Sequence, residues 1–325
     1  MGWWARLADI VFHSEDDDLL HELAGLSSML AAQAGGGSFA VVVGDDKAGT
    51  ASSLASEGVS EVYLYRAPAT LRDYPEASAQ AVAQVAAAHP HAYVLVGSSK
   101  DGKVVAGRLA AMLGASAASD CSSVQLSGTD LIVERPSYGG RVRTRAALSG
   151  KYVVACVKAR AYPKAIPSGA AGKVIESSIS PVLTTSIIEV RERPMSSMDL
   201  TRAEKIVSVG RGLRKKEDLQ IISGLADAMG ASVGCSRPLS ADLGWLPEEA
   251  HIGLTGLEVK PKLYVAVGIS GQLQHLAGAK EAGTIVAINT DKGAPIFANA
   301  DYGIVGDLYQ VVPEMQRQLA ATRGK

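Results

Sequence analysis

Residues 263–289 read LYVAVGISGQLQHLAGAKEAGTIVAIN. A short apolar run, 263–267, ends at a Gly-Ile-Ser-Gly turn, and the pattern then predicts a helix over about 270–281 closed by Gly283. A second apolar run, 284–288, ends at Asn289. Two β-branched runs joined by one helix are the unit from which parallel sheets are built. Working outward, the unit recurs. Residues 205–209 (KIVSV) lead through Gly210-Arg211-Gly212 into a helix expected over about 216–229 and closed by Gly230. Residues 303–305 lead to Asp307 and a last helix reaching about Leu319. Ligands of an open α/β sheet sit beyond the C-terminal ends of its strands. Here those ends carry Arg211, Ser270, Gly271, Asn289 and Asp307.

The first half alternates in the same way. Strands are expected at 39–43, 61–65 and 93–96, with helices at about 19–33, 47–57, 76–88 and 103–113. In the last of these, Val105, Leu109 and Met112 recur at helical spacing. Such alternation implies a parallel sheet covered on both faces. After residue 120 the pattern changes: 130–133 and 142–148 flank Tyr138-Gly139-Gly140 as a hairpin, and 152–157 and 182–190 read as further strands. Residues 191–203 are polar, contain a proline and lack periodicity. The expected class is therefore α/β in two domains. Residues 1–190 form a Rossmann-like parallel sheet with an added hairpin and no cofactor, 191–203 a linker, and 204–325 a doubly wound domain.

The chain has 325 residues, 47% of them hydrophobic, which is ample for packed cores. Its net charge of −1 argues against a globally basic nucleic-acid binder. No window approaches the roughly 18 apolar residues of a membrane span. The stretch 3–12 runs into Glu15, Asp16, Asp17 and Asp18, unlike a secretory or transit segment. Cys121, Cys156 and Cys235 form no C-x-x-C pair, so the expectation is three reduced thiols in a cytoplasmic protein without a metal site. Residues 134–164 hold eight basic residues and one acidic one. Arg141, Arg143 and Arg145 would share one face of a strand, either solvated or docking a partner; no aromatics interleave them as nucleic-acid stacking would need.

Glycines of the 268–271 turn let backbone N–H groups approach an anion, and Ser270 can cap the following helix or donate to a phosphate. Arg211 is a natural counter-charge for a pyrophosphate. Asp307 can accept from a ribose hydroxyl or cap the last helix, and Asn289 has a similar choice. A lone histidine such as His275 is more often structural than functional, and His89 and His91, flanking Pro90, read as solvent-facing. Nucleoside-triphosphate, hydrolase and metalloprotease motifs are lacking, and no nucleophile–base pair is evident, so no catalytic residue is assigned.

The block 263–289 resembles the signature of the electron transfer flavoprotein alpha subunit. The resemblance extends through GRGL at 210–213, SRPL at 236–239, GLTG at 253–256 and the run 294–315, which together span the second domain. It is looser in the first, where RPSYGG at 135–140 and the strand–helix order carry it. It implies one FAD in the second domain. Arg211 would neutralise the pyrophosphate, with Ser270 and Gly271 beside it. Asn289, Asp307 and Leu308 would line the adenosine end. Ser236, Arg237, Gly253, Leu254, Thr255, Gln274 and His275 would surround the ribityl chain and ring, and Ile252, Gln272 and Leu273 complete the implied set. Arg237 and His275 would stabilise negative charge on the reduced ring, and Thr255 would tune protonation at its N5. Leu254 stands where members often carry Gln, and 3–12 stand where a first strand is expected. The resemblance further implies an electron carrier rather than an enzyme with its own bond-breaking chemistry. Its partners would be a beta subunit, donor dehydrogenases, and a quinone reductase or ferredoxin-type acceptor, with no nucleic acid and no membrane span. The rival readings are an NAD-dependent enzyme on a doubly wound domain and a flavin-free assembly or regulatory module.

Overall fold

The computed structural model describes residues 8–66, 74–138, 140, 142–167, 169, 172–189 and 200–323. The chain divides into two compact units, Met1–Glu189 and Val190–Lys325. Residues 190–199, most of the expected linker, lie outside the described residues, as do 3–7, Gly139 and Arg141.

The first unit is built on a seven-stranded parallel sheet in the order β10-β3-β2-β1-β4-β9-β5. Its strands are β1 (Asp9–His13), β2 (Ser38–Val43), β3 (Glu61–Tyr65), β4 (Ala92–Gly97), β5 (Ser116–Cys121), β9 (Tyr152–Val157) and β10 (Lys173–Ser177). Helices α1 (Asp17–Ala34) and α2 (Ala48–Ser56) cover one face; α3 (Pro75–Ala87) and α4 (Lys100–Leu113) cover the other. Strand alternation sorts the core between them. Ile10, Phe12, Ala40 and Val42 pack with α1 and α2, whereas Val11, Val41, Val94 and Val96 pack with α3 and α4. The acidic run at 15–18 begins a helix. Asp16 accepts from the Leu19 N–H at 3.0 Å, and Asp17 and Asp18 occupy the first turn. A three-stranded antiparallel sheet, β6 (Ser123–Ser127), β7 (Asp130–Ser137) and β8 (Val142–Leu148), contains the expected hairpin. Arg143 and Arg145 are exposed on its edge strand β8.

Three expectations fail here. Residues 182–189 form no strand, because the sheet edge beside β3 is taken by β10. The segment instead lies along α3: Val182 exchanges two hydrogen bonds with the Gln80 side chain, and Thr184 and Thr185 donate to Glu76. Met112 is exposed, and the apolar stripe of α4 is Val105, Ala106 and Leu109, with Leu113 partly buried beside it. His89 does not face solvent; it lies against Phe39, and its Nδ1 is 2.8 Å from Asp9 Oδ2.

The second unit has a five-stranded parallel sheet, β11 (Lys205–Val209), β12 (Ser232–Cys235), β13 (Leu263–Val267), β14 (Thr284–Asn289) and β15 (Tyr302–Val305). Its order is β12-β11-β13-β14-β15, a doubly wound arrangement with helices α5 (Leu219–Met229), α6 (Leu273–Ala279) and α7 (Leu308–Arg323). The four apolar runs read from the sequence are β11, β13, β14 and β15, buried over Ile206–Val209 and Tyr264–Val267; the short β12 was not expected.

Candidate functional site

In this strand order the chain reverses direction between β11 and β13, which opens a crevice at their C-terminal ends. The crevice is stitched closed at its base. Gly210 N–H donates to the Val267 carbonyl at 2.9 Å, and Gly212 N–H to the Gly268 carbonyl at 3.0 Å. A Cβ on Gly212 would come within 2.6 Å of Gly268 Cα, so only glycine permits this approach. Arg211 stands between the two glycines, exposed, with no ion pair or hydrogen bond among the described residues.

The 268–271 turn differs from expectation. Ser270 does not cap a helix: Gly271 has φ +81°, the Ser270 carbonyl accepts from Ile296 N–H at 3.0 Å, and the helix starts only at Leu273. Ser270 is exposed, and its hydroxyl has no partner among the described residues. Asn289 ties the turn to β14, with Nδ2 donating to the Ile269 carbonyl at 2.9 Å and Oδ1 accepting from Asp291 N–H at 3.0 Å. Leu308 packs its side chain beneath Gly268. Of its two open readings, Asp307 adopts the cap: Oδ1 accepts from Tyr309 N–H at 3.0 Å, while Oδ2 pairs with Arg214 at 3.1 Å.

A cavity of about 580 Å³ runs along these strand ends. This is the range of small-molecule and cofactor sites. Arg211 and Ser270 line its middle, and Asn289, Asp307 and Leu308 one end. The end beyond β12 is lined by Ser236, Arg237, Ile252, Leu254 and Thr255, with Gln272, Gln274 and His275 from the α6 side. Three expected residues do not line it. Gly253 and Gly271 are buried in the supporting turns, and Leu273 sits half-exposed at the start of α6. Arg237 is exposed and, like Arg211, has no side-chain partner among the described residues. Two unpaired guanidiniums in one cleft call for an anionic ligand.

His275 is buried, and its Nε2 lies 2.8 Å from the hydroxyl of Tyr264, itself fully buried on β13. Its Nδ1 is enclosed near the Ile252 backbone, without a well-formed hydrogen bond among the described residues. Burial, then the charge of nearby His251, pushes its pKa down to about 4. The Tyr264 phenol is pushed up by burial and keeps its proton. The hydroxyl and Nε2 share one buried hydrogen bond, whose direction follows the imidazole tautomer, and Ser208 also lies at the hydroxyl.

Nine lining residues stand outside the expected set, and Arg214 and His251 are the two of them with ionisable side chains. Arg214 opens the basic run 214–216, which resembles an ordinary solvated face, and its Asp307 partner is 93 residues away. His251 immediately precedes the recognised 252–256 segment, and that adjacency was the available signal. Among the described residues no cluster of three His, Cys, Asp or Glu could hold a metal ion, and the three cysteines are buried and free. No described helix is long and apolar enough to cross a membrane.

A doubly wound sheet with an arginine at its switch point and an elongated cleft across its strand ends defines a dinucleotide-binding protein. Residues 199–280 match the electron transfer flavoprotein FAD-binding domain, and 17–181 the electron transfer flavoprotein domain. YdiR of Escherichia coli strain K12 is 37% identical over 235 residues, covering 71% of this chain and 75% of that protein. FixB of Escherichia coli O127:H6 is 35% identical over 254 residues, covering 77% of this chain and 80% of FixB; FixB of Shigella dysenteriae serotype 1 matches to the same extent. The chain belongs to the electron transfer flavoprotein family, as an FAD-binding subunit of the alpha type.

Proposed function

We propose that this chain pairs with a beta subunit as an electron carrier, taking electrons from dehydrogenases in the cytoplasm and passing them to a quinone reductase or ferredoxin-type acceptor. It carries out no bond-breaking step of its own. The observation that supports the reading most is the distribution of charge along the cleft. Among the described residues Arg211 at the centre and Arg237 beyond β12 have no partner, while at the opposite end Asp307 is paired with Arg214.

The residues present fit FAD. A pyrophosphate belongs at the centre, where Arg211 lacks a counter-ion and the glycines let backbone approach closely. The two ends are then distinguished by which cation lacks a partner. A ring that gains negative charge on reduction is favoured beside the unpartnered Arg237, whereas the cation at the opposite end, Arg214, is already paired with Asp307, so the ring system takes the β12 end and the adenosine the β15 end. When bound, FAD supplies the redox chemistry, and the protein supplies binding, orientation and electrostatics. Arg237 holds a fixed positive charge, His275 is held as a neutral ring by burial and Tyr264, and Ile252 and Leu254 give the cleft apolar wall.

The exposed Arg143 and Arg145 on β8 belong to the stretch 134–164, whose net charge is +7 against −8 for the remainder. Such segregation suits docking to an acidic partner face and gives a salt-sensitive association rate. Co-expression with candidate beta subunits tests the reading. The complex should retain one FAD per heterodimer, and Arg211→Ala should lose it. A chain that runs as a monomer and transfers electrons at full rate without a partner overturns the heterodimer.

A further inference from the structure

His251 occupies a built position in the β12 end of the cleft. Its backbone is fixed on both sides: its N–H donates to the Glu248 carbonyl at 3.0 Å, its carbonyl accepts from Leu257 N–H at 2.8 Å, and it bridges Cys235 at the end of β12. The ring folds back against the 252–257 turn. A Cβ on Gly253 would stand 3.2 Å from Nε2, and one on Gly256 2.7 Å from Nδ1. Both positions are glycine, and the ring fills the space. It lines the cavity, is half-buried, and has no hydrogen-bond partner on either nitrogen among the described residues.

The charged and titratable groups around it come from three directions: Arg237 beyond β12, His275 on α6, and Glu248 on the short turn Glu248–Ala250. Burial and the Arg237 charge hold its pKa below the ordinary histidine value, with Glu248 opposing. The free pocket therefore favours the neutral ring, and an added negative charge would reverse that preference. His275 cannot respond in the same way. Its Nε2 is taken by Tyr264, its Nδ1 is sealed from solvent, and its pKa lies lower, at about 4.

We propose that His251 couples one proton to the electron this protein carries: the ring binds a proton from solvent when negative charge arrives at the β12 end of the cleft, and returns it to solvent when that charge leaves. The electron comes from the donor of the established transfer reaction, and the only bond made or broken is N–H on the imidazole. The inference rests on placing the redox-active ring at the β12 end. By linkage, whatever factor reduction adds to proton affinity at His251, the proton adds to electron affinity.

Two measurements on the FAD-loaded complex test this. NMR titration of the His251 ring in unmutated protein, oxidised and then fully reduced, should show proton affinity at least tenfold higher after reduction; an unchanged affinity overturns the proposal. Potentiometric titration from pH 5.5 to 8.5 should show an additional pH dependence in the unmutated protein that His251→Gln lacks. Tenfold tighter proton binding across the two-electron reduction corresponds to about 30 mV in the two-electron potential. Protonation of the cofactor itself is common to both proteins and cancels in the difference. Superimposable pH profiles overturn the proposal. Arg237→Ala separates the two ways it can fail. If that variant lowers the potential while His251→Gln tracks the unmutated protein, the proton coupling alone is wrong. If neither substitution moves the potential, the ring placement is wrong.

Discussion

Gly212→Ala should damage both stability and cofactor binding, and the structure sets the size of the effect. The added Cβ would stand 2.6 Å from Gly268 Cα and 3.2 Å from the Gly268 carbonyl oxygen. Carbon atoms pack at about 3.5–4.0 Å, so the two turns must part by about 1 Å. Backbone faces backbone at this contact, so no side-chain rotation relieves it. Gly212 does not have a left-handed φ, so the clash is the whole cause. Overpacking of this kind costs about 1–3 kcal/mol. The 3.0 Å Gly212–Gly268 hydrogen bond would lengthen as the turns part, at a cost of about 1 kcal/mol. The expected loss is about 2–4 kcal/mol, roughly 10 °C in the melting temperature of a unit this size. Because the displaced turns carry Arg211 and Ser270, FAD affinity should fall at least tenfold, about 1.4 kcal/mol. Thermal unfolding and flavin fluorescence titration read the two effects. Gly107→Ala is the control: it lies in α4 with nothing within 4 Å of its Cβ, and should stabilise by up to about 1 kcal/mol. A Gly212→Ala protein with unmutated melting temperature and FAD affinity would refute the argument that the switch point depends on this approach.

Arg237→Ala should lower the first reduction potential by several tens of millivolts, the residue of a unit-charge interaction after solvent screening, with Arg237→Lys in between; potentiometry in the presence of dyes reads it. Tyr264→Phe keeps the packing of β13 but leaves His275 Nε2 buried without its hydrogen-bond partner, so urea unfolding should show a loss of about 1–3 kcal/mol. His275 makes stability pH-dependent. The unfolded chain binds a proton on this ring below the ordinary value of 6.5, the folded protein only below about 4. Its contribution is therefore complete above pH 6.5 and lost as pH falls towards 4, by about 3 kcal/mol in total, and His275→Gln should flatten that part of the denaturation profile between pH 7 and 4.

The amino-acid sequence by itself determined the alternation of strands and helices, the two-domain α/β class and most of the cleft. These are local signals: β-branched runs such as 263–267, helical spacing through Val105 and Leu109, and glycines where a strand must turn. The family resemblance rests on the same contiguous segments, which is why Ile252, Leu254 and Thr255, and Ser270, Gln272, Gln274 and His275, were read together, and why Gly253, Gly271 and Leu273, which do not line the cleft, were read with them. Tertiary structure decided the rest. Strand order is a matter of pairing between distant segments, so periodicity could not reveal that β10 would take the edge beside β3 and leave 182–189 to lie along α3. The length of α6 depended on Ile296 holding the Ser270 carbonyl, a contact made from another loop. Asp307 had two readings until Arg214 was found 3.1 Å away, and His275 became a neutral ring only because Tyr264 and the burial around it come from a neighbouring strand and turn. A side chain's chemistry is legible in its type, but its protonation, its partners and the direction it faces are set by neighbours that only the folded chain brings together.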